Sequence, residues 1–132
     1  MISEGQAYAT IPVTDMQQAR EFYGGMLGFP TMMEVENAAT MYSAGDGSIF
    51  LVYAAAGPSN GEHTTVGWLV SDLPAEVGAL KAKGVAFEEY DLEIPGAGSI
   101  KTENSIATVG RVSSAWLKDP EGNVLSLTAL DM

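Results

Sequence analysis

His63 is the only histidine of the chain, and no cysteine accompanies it. The missing thiols exclude disulfides and thiolate zinc sites. One imidazole without carboxylates beside it makes a weak metal site, and the neighbouring Glu62 would face the other way in a regular strand. Ser–His–Asp catalysis would have to recruit His63 as its base, yet the sequence carries no nucleophile elbow. No Gly-x-x-x-x-Gly-Lys run is present to cradle a phosphate. The phenol of Tyr8 is a candidate general acid, since a positioned phenol can transfer protons. Asp91, Glu93 and Glu103 cluster within residues 90–105. They are placed either to hold a cationic ligand at a pocket mouth or to solvate a loop.

The elements that would position these groups come in two similar sets. Thr10-Ile11-Pro12-Val13-Thr14-Asp15 leads into a helical run ending at Leu27-Gly28-Phe29, and Gly67-Trp68-Leu69-Val70-Ser71-Asp72 leads into one ending at Lys83-Gly84-Val85. Asp46-Gly47-Ser48-Ile49-Phe50-Leu51 likewise parallels Glu121-Gly122-Asn123-Val124-Leu125-Ser126. Such a repeat implies a duplicated unit whose halves meet around a shared concavity. Asp15 stands where an N-cap belongs, with Gln18 three residues on. Met16, Ala19, Phe22 or Tyr23, and Met26 make a core-facing stripe, and Gly28 ends the helix. In the second half Asp72 caps, Pro74 sits in the first turn, Val77 and Leu80 form the stripe, and Gly84 stops it. Strands are expected at 8–14, 31–35, 39–44 and 48–55, then at 86–89, 111–118 and 124–129. Asp46-Gly47 and Glu121-Gly122 supply the tight turns. The reading is a single domain, 1–132, with a first βαβββ half at about 5–56, a linker at 57–61 and a second half at about 62–130. The stretch from Asp72 to Gly122 exceeds that from Asp15 to Gly47 by eighteen residues. The surplus falls at 90–105, a length that suggests a ligand cover or a partner surface.

Composition narrows the partners. Six basic residues against seventeen acidic ones leave a formal charge of −11. That field repels nucleic acid and anionic membrane surfaces and steers a cationic ligand inward. Apolar content of 46% describes an ordinary globular core without a bilayer-length apolar run. The opening residues lack the basic and apolar regions of a signal peptide, so a cytoplasmic location is expected.

The motifs Ile11-Pro12-Val13-Thr14-Asp15, Arg20-Glu21-Phe22-Tyr23, Val70-Ser71-Asp72 and Asp119-Pro120-Glu121-Gly122-Asn123 resemble the vicinal oxygen chelate superfamily. That superfamily includes glyoxalase I, bleomycin and fosfomycin resistance proteins and extradiol dioxygenases. The resemblance implies an α+β fold: tandem βαβββ modules forming cupped mixed sheets with helices outside, commonly as a homodimer. It also implies four equivalent ligand positions in metal-dependent members, which fall here on Tyr8, Leu51, Thr65 and Ser126. Leucine cannot coordinate a metal, and neutral hydroxyls are poor ligands. The expectation is therefore no metal and no cofactor.

Period-two alternation places Leu125 and Leu127 against the helix and leaves Val124, Ser126 and Thr128 on the concave side. Trp68 goes with the helix-facing set, buried behind the sheet. Together with the family's pattern this predicts a pocket lined by Tyr8, Met41, Leu51, Tyr53, Thr65, Ser114, Trp116 and Ser126. A mostly apolar wall with a few hydroxyls suits a small molecule, aromatic or cationic. Two functions follow from the resemblance. One is metal-free binding of the bleomycin-resistance type; the other is a glyoxalase-like lyase working through Tyr8 or a site near His63.

Overall fold

The computed structural model describes residues 1–4, 7–55, 63–94 and 98–130. The linker expected at 57–61 and Glu62 lie outside them. The chain divides into two compact units, Met1–Asn60 and Gly61–Met132. No helix among the described residues is long and apolar enough to cross a membrane.

In the first unit, β1 (Ala9–Val13) leads to α1 (Met16–Arg20), followed by β2 (Thr31–Val35), β3 (Ala39–Ala44) and β4 (Ser48–Ala54). Their sheet runs β1-β4-β3-β2, with β1 parallel to β4 and the other pairs antiparallel. Asp15 caps α1 as expected, its Oδ1 accepting the Gln18 N–H at 3.0 Å. The helix does not stay α-helical to its end. Glu21–Met26 winds as a π-helix, with the Leu27 N–H bonded to the Phe22 carbonyl at 2.9 Å. Gly24 and Gly25 weaken the α-helical preference there, and the wider turn brings both Phe22 and Tyr23 into the core instead of one of them. Tyr23, Tyr42 and Phe50 then pack ring on ring with centroids 5.3–6.0 Å apart. Gly28 ends the helix with φ +79°, a conformation open to glycine at little cost. The Arg20 guanidinium donates to the buried Thr40 hydroxyl at 3.2 Å and so ties the helix to β3.

The second unit repeats the plan. It comprises β5 (Thr64–Leu69), α2 (Leu73–Ala82), β6 (Asp91–Ile94), β7 (Gly98–Lys101), β8 (Ala107–Val109), β9 (Val112–Lys118) and β10 (Val124–Leu130). Four of these strands form a sheet in the order β5-β10-β9-β8, while β6 and β7 pair as a separate hairpin. Asp72 accepts the Ala75 N–H at 3.1 Å, and α2 buries Leu73, Val77 and Leu80 against β9 and β10. The strand expected at 86–89 is not formed; only Phe87 bridges to Leu117. The outer edge of β9 is taken further along by β8, which pairs Ala107 with Ser114 and was not anticipated. The extra hairpin thus emerges from within the edge strand and splits it in two.

The Asp119-Pro120-Glu121-Gly122-Asn123 turn joins β9 to β10 through one buried carboxylate. Asp119 Oδ1 accepts the N–H groups of Glu121 and Asn123, each at 2.9 Å, and Oδ2 accepts Asn123 Nδ2–H at 2.7 Å. Gly122 supplies the positive φ, +88°, that this geometry requires.

Candidate functional site

The β9–β10 register sets out the candidate residues of the second unit. Ser126 stands opposite Trp116, and Ser114 stands opposite Thr128 with their hydroxyl oxygens 2.9 Å apart. By strand alternation Leu125 and Leu127 share one face of β10, whose sheet packs on α2, and Val124, Ser126 and Thr128 share the other. On the parallel side Ser126 pairs with Gly67. A Cβ at Gly67 would lie 2.6 Å from Ser126 Oγ, so the missing side chain makes room for the serine hydroxyl. Thr65 falls at a β-bulge between Thr64, opposite Val124, and Val66, opposite Leu125. Trp68 pairs with Leu127 on the helix side but is only half-buried, not fully covered as expected.

At the Trp116 and Val124 end of these two strands lies a cavity of about 310 Å³. Its base is Trp116 and Val124, and His63 and Thr64 flank it where β5 begins. Tyr90, Leu92 and Ile100 close the remaining side. Tyr90 meets the Trp116 indole edge-to-face, with centroids 5.4 Å apart and planes at 73°. Burial pushes the Tyr90 phenol above its ordinary value of 10.0; nearby Glu88 adds to this and Lys118 opposes it. The phenol therefore stays protonated and able to donate at neutral pH.

Of the eight pocket residues expected from the sequence, Trp116 alone lines this cavity; Thr65, Ser114 and Ser126 do not, and the walls formed by Tyr90, Leu92 and Ile100 were not expected. A weak signal was present, for Tyr90 and Leu92 alternate with Asp91 and Glu93. Leu92 pairs directly with Ile100, and Asp91 with Lys101. The pleat therefore turns Asp91 and Glu93 to the face opposite the pocket wall. Asp91 and Glu93 thus lie on the hairpin's outer side, which agrees with the solvated-loop alternative and not with the pocket mouth.

The first unit arranges its candidate residues on the sheet face away from α1. Met41 stands opposite Leu51, which in turn lies beside Thr10, and Tyr53 lies between Ala39 and Pro12. All three candidates are half-buried, whereas Phe50 and Val52, alternating with them, are covered. Tyr8 precedes β1 and is 49% exposed.

Residues 5–127 match the family model of the Glyoxalase/Bleomycin resistance protein/Dioxygenase superfamily. The chain belongs to this superfamily. Solved structures agree on the fold. A glyoxalase family protein from Enterococcus faecalis superposes with a TM-score of 0.67 at 16% identity, over 97% of this chain and 99% of that one. A fosfomycin resistance protein from Listeria monocytogenes gives 0.66 at 11% identity, over 96% and 93%. A glyoxalase/bleomycin resistance protein from a Streptomyces species gives 0.65 at 20% identity, over 93% and 98%. At these identities the likeness speaks for the fold alone. Comparison with curated proteins finds no match.

The residues that the resemblance sets at ligand positions, Tyr8, Leu51, Thr65 and Ser126, do not fit a divalent metal. Leu51 offers hydrocarbon. Ser126 is 9% exposed, with its neutral hydroxyl packed over Gly67. Thr65 lies in the bulge with only a hydroxyl to offer, and Tyr8, ahead of β1, offers a phenol. Among the described residues, no three His, Asp or Glu side chains gather closely enough to hold an ion.

Proposed function

We propose that this protein binds a small aromatic molecule without a metal, as a sequestration protein of the bleomycin-resistance kind. The ligand site is the cavity of the second unit. One observation carries the reading: a 310 Å³ space walled by Trp116, Tyr90, Leu92 and Ile100, with hydroxyl and imidazole groups at one edge. Such a lining buries a flat apolar body and orients it through a few polar contacts. Stacking or edge contacts with the indole are worth about 0.5–1.5 kcal/mol beyond area burial. The formal charge of −11 favours the approach of a cationic aromatic over an anionic one. The homodimer expected from the resemblance is retained as part of this reading, supported by the exposed Met32, Met33 and Val35 on β2. Light scattering that gives a clean monomer at working concentration removes it.

Because the chain has two tryptophans, the site is testable by fluorescence. A panel of cationic and neutral aromatic compounds should change the emission of wild type and of Trp68→Phe but leave Trp116→Phe unresponsive. A confirmed ligand that quenches only Trp68 would refute the pocket. A second reading, a glyoxalase-like lyase, is favoured by one observation: His63 and Tyr90 border the same cavity. Turnover of the methylglyoxal–glutathione hemithioacetal that persists after desalting and is lost in His63→Ala would replace binding with catalysis.

A further inference from the structure

The hairpin that walls the pocket is tied down by a side chain that does not line it. Glu89 stands just before Tyr90 at the root of β6, and its carboxylate reaches the chain leaving β7. Oε1 accepts from Thr102 Oγ1 at 2.7 Å and from the Ser105 N–H at 3.1 Å, and Oε2 accepts from Ser105 Oγ at 2.6 Å. Ser105 is 1% exposed. With Asn104 it forms a two-residue turn in which both residues have left-handed backbone, φ 52° and 73°, closed by paired Glu103–Ile106 bonds. Neither residue is glycine, and such a turn persists only where its surroundings hold it. The same root is closed by the Thr102 N–H on the Tyr90 carbonyl and by the Tyr90 N–H on Thr102 Oγ1, each at 2.8 Å.

The hairpin needs this anchor. It is a two-stranded sheet of its own, with four residues in each strand. Isolated hairpins of that size are marginal in water. Resting on the pocket read above, we propose that Glu89 is its positioning residue. By clasping both roots of the hairpin it holds Tyr90, Leu92 and Ile100 over Trp116, and so sets the affinity for an aromatic ligand that it never touches.

Three donors on one carboxylate favour its ionised form. The Ser105 and Thr102 hydroxyls hold the Glu89 carboxyl below its ordinary 4.5, and Lys81 on α2 adds a smaller attraction. A depressed carboxyl exerts its hold above pH 4.5 and loses it as the pH falls through the folded value.

Deuterium exchange of the β6 and β7 amides, without ligand, tests the clasp. Binding of N-phenyl-1-naphthylamine, a neutral planar fluorophore, tests its consequence. Glu89→Ala should speed exchange in β6 and β7 about tenfold or more while sparing β9 and β10, and weaken the fluorophore about tenfold. Wild-type affinity should fall below pH 4.5, whereas Glu89→Gln should be weaker at neutral pH and flat across that range. The flat profile keeps the test decisive if the alanine variant does not fold. Unchanged exchange in Glu89→Ala, or in Glu89→Gln if alanine fails, overturns the clasp. Faster exchange with unchanged affinity overturns its link to the pocket. Failure of wild type to bind any aromatic probe through Trp116 overturns the pocket reading instead, and the exchange result then stands separately for the clasp.

Discussion

Replacing Asp119 with alanine removes a carboxylate that is 4% exposed, and with it hydrogen bonds from the Glu121 N–H, the Asn123 N–H and Asn123 Nδ2. Each bond to an ionised acceptor is worth about 1.5–3 kcal/mol net, but bonds sharing one carboxylate do not simply add. The Glu121 N–H is half-buried and can recover water. The Asn123 N–H and Nδ2 cannot, since Asn123 is wholly buried. The expected loss is therefore about 3–5 kcal/mol, which lowers Tm by roughly 10–20 °C for a chain of this length. Urea unfolding followed by both circular dichroism and tryptophan emission reads it, with an unchanged m-value guarding the two-state assumption. Asp119→Asn keeps the shape and one acceptor, so it should fall between alanine and wild type. Asp46, in the corresponding turn of the first unit, is exposed with φ 54°. Its alanine variant should lose no more than about 1 kcal/mol. A loss below about 1 kcal/mol at Asp119, or equal losses at both turns, would refute the argument that one buried carboxylate holds the second turn.

Gly67→Ala should cost about 1 kcal/mol, because its Cβ would meet Ser126 Oγ at 2.6 Å, and adding Ser126→Ala should restore most of it; an additive pair of losses would show that the hydroxyl is not the obstacle. Burial raises the Tyr42 phenol above 10.0, outweighing the opposing pull of Arg20. The folded chain thus holds this proton more tightly than the unfolded chain, and the stability is full below pH 10.0 and lost as pH rises through the folded value. Urea titrations between about pH 9 and 12 should show a slope that Tyr42→Phe reduces. Leu92→Ser, at a side chain 47% exposed, should weaken the naphthylamine probe severalfold with little change in Tm, and an unaltered affinity would remove the hairpin from the site.

The local signals of the sequence carried far because they are local. Aspartate caps, glycine stops and alternation act within a few residues, and β2 and β3 form over the residues expected of them. The hydrocarbon side chain of Leu51 cannot coordinate a metal, whatever surrounds it. What lay beyond the sequence depended on partners distant in the chain. β8 is three residues long and is a strand only because β9 offers it an edge. The π-helical turn places Phe22 and Tyr23 together in one aromatic core, a packing that no helical spacing in the sequence announces. Asp91, Glu93 and Leu92 look equally available in sequence, and the pairing of Leu92 with Ile100 decides which of them faces the pocket. Glu89 reads as one more acidic surface residue until the fold brings Thr102 and Ser105 to its carboxylate. Hydrogen bonds and apolar walls assembled across a dozen or more residues leave no periodic trace in the chain, so tertiary structure alone could bring them together.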